Sequence, residues 1–284
     1  MKEIDLDSEK EEIRRSVNIG DRINSYRIMD IIPNTHLYRA MYKDKRGVFV
    51  VKFAKKGKAL HKMLMNERRI LESLDRHPNI VGLEDKGETG DLDYNVFLHT
   101  NAIPARTVDS GSLDLAVCIE MVLGAANACK YLHSKKIVHR DINPNNILID
   151  KYSFNAKITD FGLAAFADEL EPGDYAQGTP AYISPEQAKG IEVDEKTDVY
   201  SLGVSLYRTL TGKRLAEFDN IFQLMLEIVT KGAANLMQPI SRPDVAPEIE
   251  QAMKKMVVYD PEERPDMEEV ILWFNVIKQE MYEK

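Results

Sequence analysis

Strand-like runs fill the first part of this chain, and helical periodicity replaces them almost completely after about residue 105, a segregation that few architectures accommodate. From Tyr26 the runs YRIMDII, LYRAMYK and GVFVVKFA are short and rich in β-branched or aromatic residues. The turn-prone stretches PNTH and KDKRG separate them, which predicts an antiparallel meander. ALHKMLMNERRILESL then places Leu60, Leu64, Glu67 and Leu71 along one helical face before HPN stops it. NIVGLEDKGE and DYNVFLHT predict two further strands. Beyond them LDLAVCIEMVLGAANACKYLHS, KTDVYSLGVSLYRTLTG, FDNIFQLMLEIVTKG, PEIEQAMKKMV and MEEVILWFNVIKQEMYE all predict helices. A small sheet with one helix, followed by helices, is an α+β arrangement in two lobes.

Composition narrows the function. Of 284 residues 44% are apolar, enough for a sizeable core, and the net charge of -8 argues against a binder of phosphate backbones, so nucleic acid is not expected as a partner. No run of about 18 apolar residues occurs, and MKEIDLDSEKEEIRR lacks a short apolar core. A soluble, cytoplasmic protein with no membrane partner is therefore expected. Residues 1–21 mix both charge signs with few apolar positions, and we set them apart as a charged extension outside the core. Residues 22–284 form the main domain, with a small lobe over about 22–99 and a large lobe over about 100–284. Cys118 and Cys129 fall on one helix, too far apart to bridge, and are expected as buried thiols.

The most specific stretch is VHRDINPNNILID, followed by KITDFGLA. His139, Arg140 and Asp141 precede Asn146 by a short loop, and Asp160 lies one hairpin further on. These residues resemble the catalytic and metal-binding loops of the eukaryotic-type protein serine/threonine kinases, and the resemblance runs from about Tyr26 to the end of the chain. It implies ATP and Mg2+ as cofactors, and Ser or Thr hydroxyls of protein substrates as acceptors. Moving a phosphoryl group needs a carboxylate to orient the attacking hydroxyl and oxygen ligands for magnesium. The resemblance gives Asp141 the first role, and Asn146 and Asp160 the second. By the same resemblance Lys52 contacts the nucleotide phosphates, Glu67 pairs with it, and Leu37, Val50 and Leu148 sandwich the adenine. Phe97 stands at the back of the pocket, with His99 and Thr100 as the hinge and ATP between the lobes. Leu71, Leu83, His139 and Phe161 line up with the family's internal packing column.

GTPAYISPEQ, DVYSLGVSLYRTLTG and DPEERPDM resemble the peptide-docking half of the family signature. They imply a buried Glu186–Arg264 ion pair, a structural tie from Asp198 to the catalytic loop, and a hydrogen bond from Thr179 to Asp141. Small-molecule phosphotransferases lack this segment, which favours a protein substrate. Three features depart from the pattern. The turn Pro33-Asn34-Thr35-His36 carries no glycine and is about three residues short, where backbone N–H groups usually cover the phosphates. Asn143, which the resemblance places in the catalytic set, replaces the usual lysine and so keeps a donor but loses a cation. Between Leu163 and Gly178 the only hydroxyl is Tyr175, amid Asp168, Glu169, Glu171 and Asp174. One of these acids is expected to stand in for a phosphate opposite Arg140. The alternative reading is a pseudokinase, a scaffold or allosteric binding protein, although Lys52, Asp141 and Asp160 all stand. Nothing in the residues speaks to oligomeric state.

Overall fold

The computed structural model describes residues 6–32, 35–43, 48–98, 102–105, 113–170, 177–215 and 220–283. The chain divides into two compact units. One comprises Met1–His77, Val81–Asn101 and Asp160–Gly162; the other comprises Pro78–Ile80, Ala102–Thr159 and Leu163–Lys284.

The smaller unit contains α1 (Leu6–Ser16), β1 (Arg22–Ile23), β2 (Tyr26–Ile31), β3 (Leu37–Tyr42), β4 (Val48–Lys55), α2 (Ala59–Glu72), β5 (Leu83–Thr89) and β6 (Leu92–Leu98). Its six-stranded antiparallel sheet runs β1-β2-β3-β4-β6-β5. The β4 register sets Leu37 opposite Lys52, Lys52 opposite Asn95, and Val50 opposite Phe97. Because side chains alternate across a strand, Leu37, Val50, Lys52, Asn95 and Phe97 share one face of the sheet. Phe49, Val51 and Phe53 belong to the core cluster instead, together with Leu60 and Leu64 of α2. Edge-on aromatic pairs, such as Tyr38 with Phe53 at 5.4 Å, tighten that core.

Residues 1–21 were expected outside the core, and α1 corrects that. Ile13 and Val17 are 1% and 4% exposed within the same cluster as Tyr26, Phe49 and Phe53, with Leu6 packed against it. Ile13 on the helix and Val17 just past its end suffice to seat it, although charge dominates its composition.

The larger unit contains β7 (Ala102–Pro104), α3 (Leu115–Ser134), β8 (Ile137–Val138), β9 (Ile147–Asp150), β10 (Ala156–Ile158), β11 (Ala165–Phe166), α4 (Pro185–Lys189), α5 (Lys196–Thr211), α6 (Ile221–Lys231), α7 (Ala233–Leu236), α8 (Pro247–Met256) and α9 (Met267–Tyr282). By length and composition α3 could cross a membrane, but 67% of its apolar window is buried, and α5, α9 and β10 pack against it as around a core helix. Asp114 caps it by accepting from Ala116 N. Cys118 and Cys129 are both free and buried on it, as expected. Burial pushes the Cys118 thiol up to about 12.

The sequence predicted an almost wholly helical second half. The structure forms the expected hairpin before Asp160 as β9–β10 and adds β7 to it and a second ribbon, β11-β8. Their strands are two to four residues long, too brief for alternation to register. They frame the loop from His139 to Asn146.

Candidate active site

In the smaller unit, Lys52 sits in the middle of β4 and its ammonium meets two carboxylates. Nζ lies 2.8 Å from Asp160 Oδ1 and 3.3 Å from Glu67 Oε1. Burial alone would push the Lys52 ammonium down. Asp160 and then Glu67 outweigh it and hold the group above the ordinary lysine range, so Lys52 is a fixed cation. Burial is also the largest influence on Glu67 and pushes its carboxyl up against the pull of Lys52.

Glu67 is anchored from three sides. Asn95 Nδ2 donates to Oε2 at 3.4 Å, Phe161 N donates to Oε1 at 3.3 Å, and Lys52 supplies the charge. Asn95 is fixed in turn, donating to Leu64 O and accepting from Arg68 Nε at 3.0 Å. The sequence reading missed Asn95, and the signal for it was a polar residue inside the apolar run DYNVFL. Asn66 donates to the carbonyls of Phe161 and Gly162, so α2 grips the segment behind Asp160 at two points. Asp160 itself has φ 63, a left-handed backbone that this grip sustains.

Leu37, Val50 and Phe97 flank Lys52 on the same sheet face. His99 and Thr100 lie outside the described residues, as do Pro33 and Asn34. His36 is described. It immediately precedes Leu37, the residue opposite Lys52, and its Nε2 is buried without a hydrogen-bond partner. Burial, and then the nearby Lys52 cation, push the His36 imidazole down to about 4.

In the larger unit the loop after β8 concentrates donors on Asp141. Its Oδ1 accepts from Asn143 Nδ2 at 3.1 Å and from Thr179 N at 2.9 Å, and its Oδ2 accepts from Asn146 Nδ2 at 2.9 Å. The expected bond from Thr179 to Asp141 is thus made by the backbone. The Thr179 hydroxyl instead accepts from Asn143 at 3.3 Å. Asn146 also donates to Asp141 O at 2.9 Å, which leaves its amide oxygen as the atom a cation would take. The Asp160 carboxylate and the Asn146 amide oxygen are each hard donors of the kind magnesium accepts.

Asp198 holds this loop. Its Oδ2 accepts from His139 N and its Oδ1 from Arg140 N, both at 2.9 Å, and Oδ2 also meets His133 Nε2 at 2.9 Å. Burial pushes Asp198 up, but these bonds prevail and hold its carboxyl below the usual range. Arg140 adopts φ 64 and donates from Nε to Leu163 O at 2.7 Å. Of the residues named above between Leu163 and Gly178, Glu171, Asp174 and Tyr175 lie outside the described residues. Leu148, on β9, pairs with Lys157.

A second brace went unread in the sequence. Gln187 is fully buried and donates from Nε2 to Arg140 O at 3.0 Å and to Gln177 O at 2.7 Å, tying the loop from His139 to Asn146 to the segment that presents Thr179. It also closes a capping box with Ser184 at the start of α4. That Ser-x-x-Gln spacing was the available signal. The Glu186–Arg264 pair is present and buried, with Nη1 to Oε1 at 2.6 Å.

A protein kinase domain model matches residues 34–273. The chain is similar to a probable serine/threonine-protein kinase of Clostridium acetobutylicum, 27% identical over 91% of this chain and 38% of that protein. It is also similar to the serine/threonine-protein kinase PknB of Mycolicibacterium smegmatis, 34% identical over 66% of this chain and 31% of that protein. With PrkC of Bacillus subtilis the identity is 32% over 69% of this chain and 30% of that protein. The chain therefore spans about a third of the length of these relatives. With that match and the Lys52–Glu67 pair, the Asp141 loop and the Asp198 tie all assembled, this chain belongs to the protein kinase domain family.

Proposed function

We propose that the protein is a serine/threonine kinase that transfers the γ-phosphoryl group of ATP to hydroxyls of protein substrates. The observation that carries this reading is Lys52, a buried cation held simultaneously by Glu67 and Asp160. A scaffold has no use for an ammonium kept charged at that desolvation cost, whereas a polyphosphate site needs one.

In this reading Lys52 positions the phosphates, and Leu37, Val50, Phe97 and Leu148 contact the base. Asp141 orients the acceptor hydroxyl and receives its proton as the oxygen attacks phosphorus. Asn143 keeps the Asp141 carboxylate in one orientation and offers the donor that a lysine usually provides. Asn146 and Asp160 would hold magnesium, which when bound neutralises charge on the phosphates. A peptide acceptor is supported by the segment from Gly178 to Gln187, whose Thr179 is hydrogen-bonded to Asp141.

The test is magnesium-dependent transfer of labelled phosphate from ATP to a generic basic protein, comparing the intact chain with Asp141→Asn and Asp160→Ala. Transfer by the intact chain alone is expected. Absence of transfer together with absence of magnesium-dependent ATP binding by calorimetry would favour the scaffold reading, which the glycine-free turn before Leu37 keeps specific.

A further inference from the structure

Helix α1 has no part in the chemistry above and lies outside the matched residues 34–273, yet it makes a set of directed polar contacts. Glu9 Oε1 accepts from Ala59 N at 3.1 Å and its Oε2 accepts from Leu60 N at 2.9 Å. These are the first amides of α2. That helix supplies no cap of its own: the Lys58 side chain before it accepts from none of its amides, and its first turn holds no acidic residue. The opening N–H groups of a helix lack intrahelical partners and favour an anion, so Glu9 does for α2 what a local cap would ordinarily do.

One and a half turns further along α1, Arg14 donates from Nε and Nη2 to Thr35 O at 3.1 and 2.7 Å. Thr35 in turn shapes the entry to β3, donating to Ile32 O at 2.8 Å and accepting from Leu37 N at 3.0 Å. Glu12 lies 3.6 Å from Lys55 and 3.7 Å from Lys58, on either side of the junction between β4 and α2. Ile13 and Val17 root the helix in the sheet core. One seated helix therefore reaches both the start of α2, which carries Glu67, and the turn that leads to Leu37.

We propose that α1 is a built-in brace for the nucleotide-handling unit, and that Glu9 and Arg14 are positioning residues that hold α2 with Glu67 on Lys52 and fix the turn before Leu37. This rests on reading Lys52 and Glu67 as working residues of a kinase. The logic is mechanical. Glu67 lies eight residues along α2 from Ala59, about 12 Å along a rigid helix, so the register of its first turn sets where the Glu67 carboxylate points. The charge-dense composition of residues 1–21 concealed this, because the partners of Glu9 are 50 and 51 residues away in sequence.

The test compares the intact chain with Glu9→Ala, Arg14→Met and the control Glu11→Ala, whose side chain pairs only with exposed Arg15 among the described contacts. Amide exchange is followed by mass spectrometry in α2 and in α5, alongside kcat and KM for ATP. Glu9→Ala is expected to speed exchange in the first turns of α2 at least tenfold, leave α5 unchanged and lower kcat about tenfold. Arg14→Met is expected to raise KM for ATP severalfold. The control is expected to match the intact chain in every measurement. Glu9→Gln, which keeps one acceptor oxygen, is expected to lie between, and it carries the test if Glu9→Ala does not fold. Exchange in α2 unaltered by Glu9→Ala, or rising equally in α5, overturns the proposal. If the intact chain transfers no phosphate, the proposed activity fails, while the exchange of α2 still decides the brace.

Discussion

Asn143 donates from Nδ2 to Asp141 Oδ1 at 3.1 Å, and the same amide reaches Thr179 Oγ1 at 3.3 Å. One short side chain thus holds the carboxylate and the segment opposite it together, where a lysine would add charge but span the same gap. Asn143 Oδ1 also accepts from Asn145 N at 2.9 Å, so every polar atom of this buried amide has a partner. Asn143→Ala removes an aimed donor next to the reacting hydroxyl. We expect kcat to fall on the order of a hundredfold with KM for ATP nearly unchanged. Steady-state kinetics against a peptide acceptor checks it, with thermal denaturation to confirm that stability drops by only about 1–2 kcal/mol.

Gly178 has φ 134, and a Cβ there would come within 2.9 Å of both Arg140 O and Ile183 Cγ2. The next residue is Thr179, whose N–H bonds Asp141. Gly178→Ala is therefore expected to strain the backbone by about 1–3 kcal/mol and to pull Thr179 N away from the carboxylate. Activity should fall at least tenfold, more than the fraction unfolded explains. Equal loss of activity and of folded protein, measured by circular dichroism at the assay temperature, would count against this account.

His36 gives the smaller unit an acid-sensitive element. Its imidazole has an ordinary value of 6.5 and is pushed down to about 4 in the fold, by burial first and then by Lys52. Between those values the unfolded chain binds a proton that the folded chain refuses, so stability is full above about pH 6.5 and is lost as pH falls towards 4. A shift of this size is worth about 3 kcal/mol in full, and the half-buried ring leaves about 1–2 kcal/mol after solvent screening. Chemical denaturation at pH 7 and pH 4.5 is expected to show that difference shrinking in His36→Gln, whose side chain does not titrate.

Legibility in the sequence followed the length scale of the constraint. The loop from His139 to Asn146 and the run from Asp160 to Gly162 were readable because each residue has a fixed neighbour a few positions away. The α2 face was readable because Leu60, Leu64, Glu67 and Leu71 repeat at helical spacing, and all four are buried. Asn95, Gln187 and Glu9 were not singled out, since each acts on groups distant in sequence that only the fold brings near. Ile13 and Val17 were hidden by composition: two apolar residues among many charges carry no visible period until a sheet receives them. The hairpin β9–β10 between Asn146 and Asp160 was legible, whereas β7, β8 and β11 were not, because strands of two or three residues draw their stability from the loops they close.

Arg264 offers the most stringent test of the larger unit. All five of its N–H groups have acceptors: Nε on Val258 O, Nη1 on Glu186 Oε1 and Lys196 O, and Nη2 on Glu186 Oε2 and Tyr259 O. Its guanidinium also stacks 4.9 Å over the Tyr200 ring. Burial pushes the Glu186 carboxyl up, but Arg264 prevails and holds it below its ordinary 4.5, so this contribution is present above that pH and is lost on acidification below it. A lysine has three donors and no fork, so Arg264→Lys cannot satisfy five acceptor sites or the bidentate geometry. We expect Arg264→Ala to cost about 3–5 kcal/mol by leaving Glu186 buried and unpaired, and Arg264→Lys to recover little of it. The double variant Glu186→Gln with Arg264→Met removes both charges at once, and urea denaturation is expected to place it above Arg264→Ala in stability. A double variant no more stable than Arg264→Ala would mean that the anchoring of Val258, Lys196 and Tyr259 carbonyls, and not the ion pair, is what Arg264 contributes.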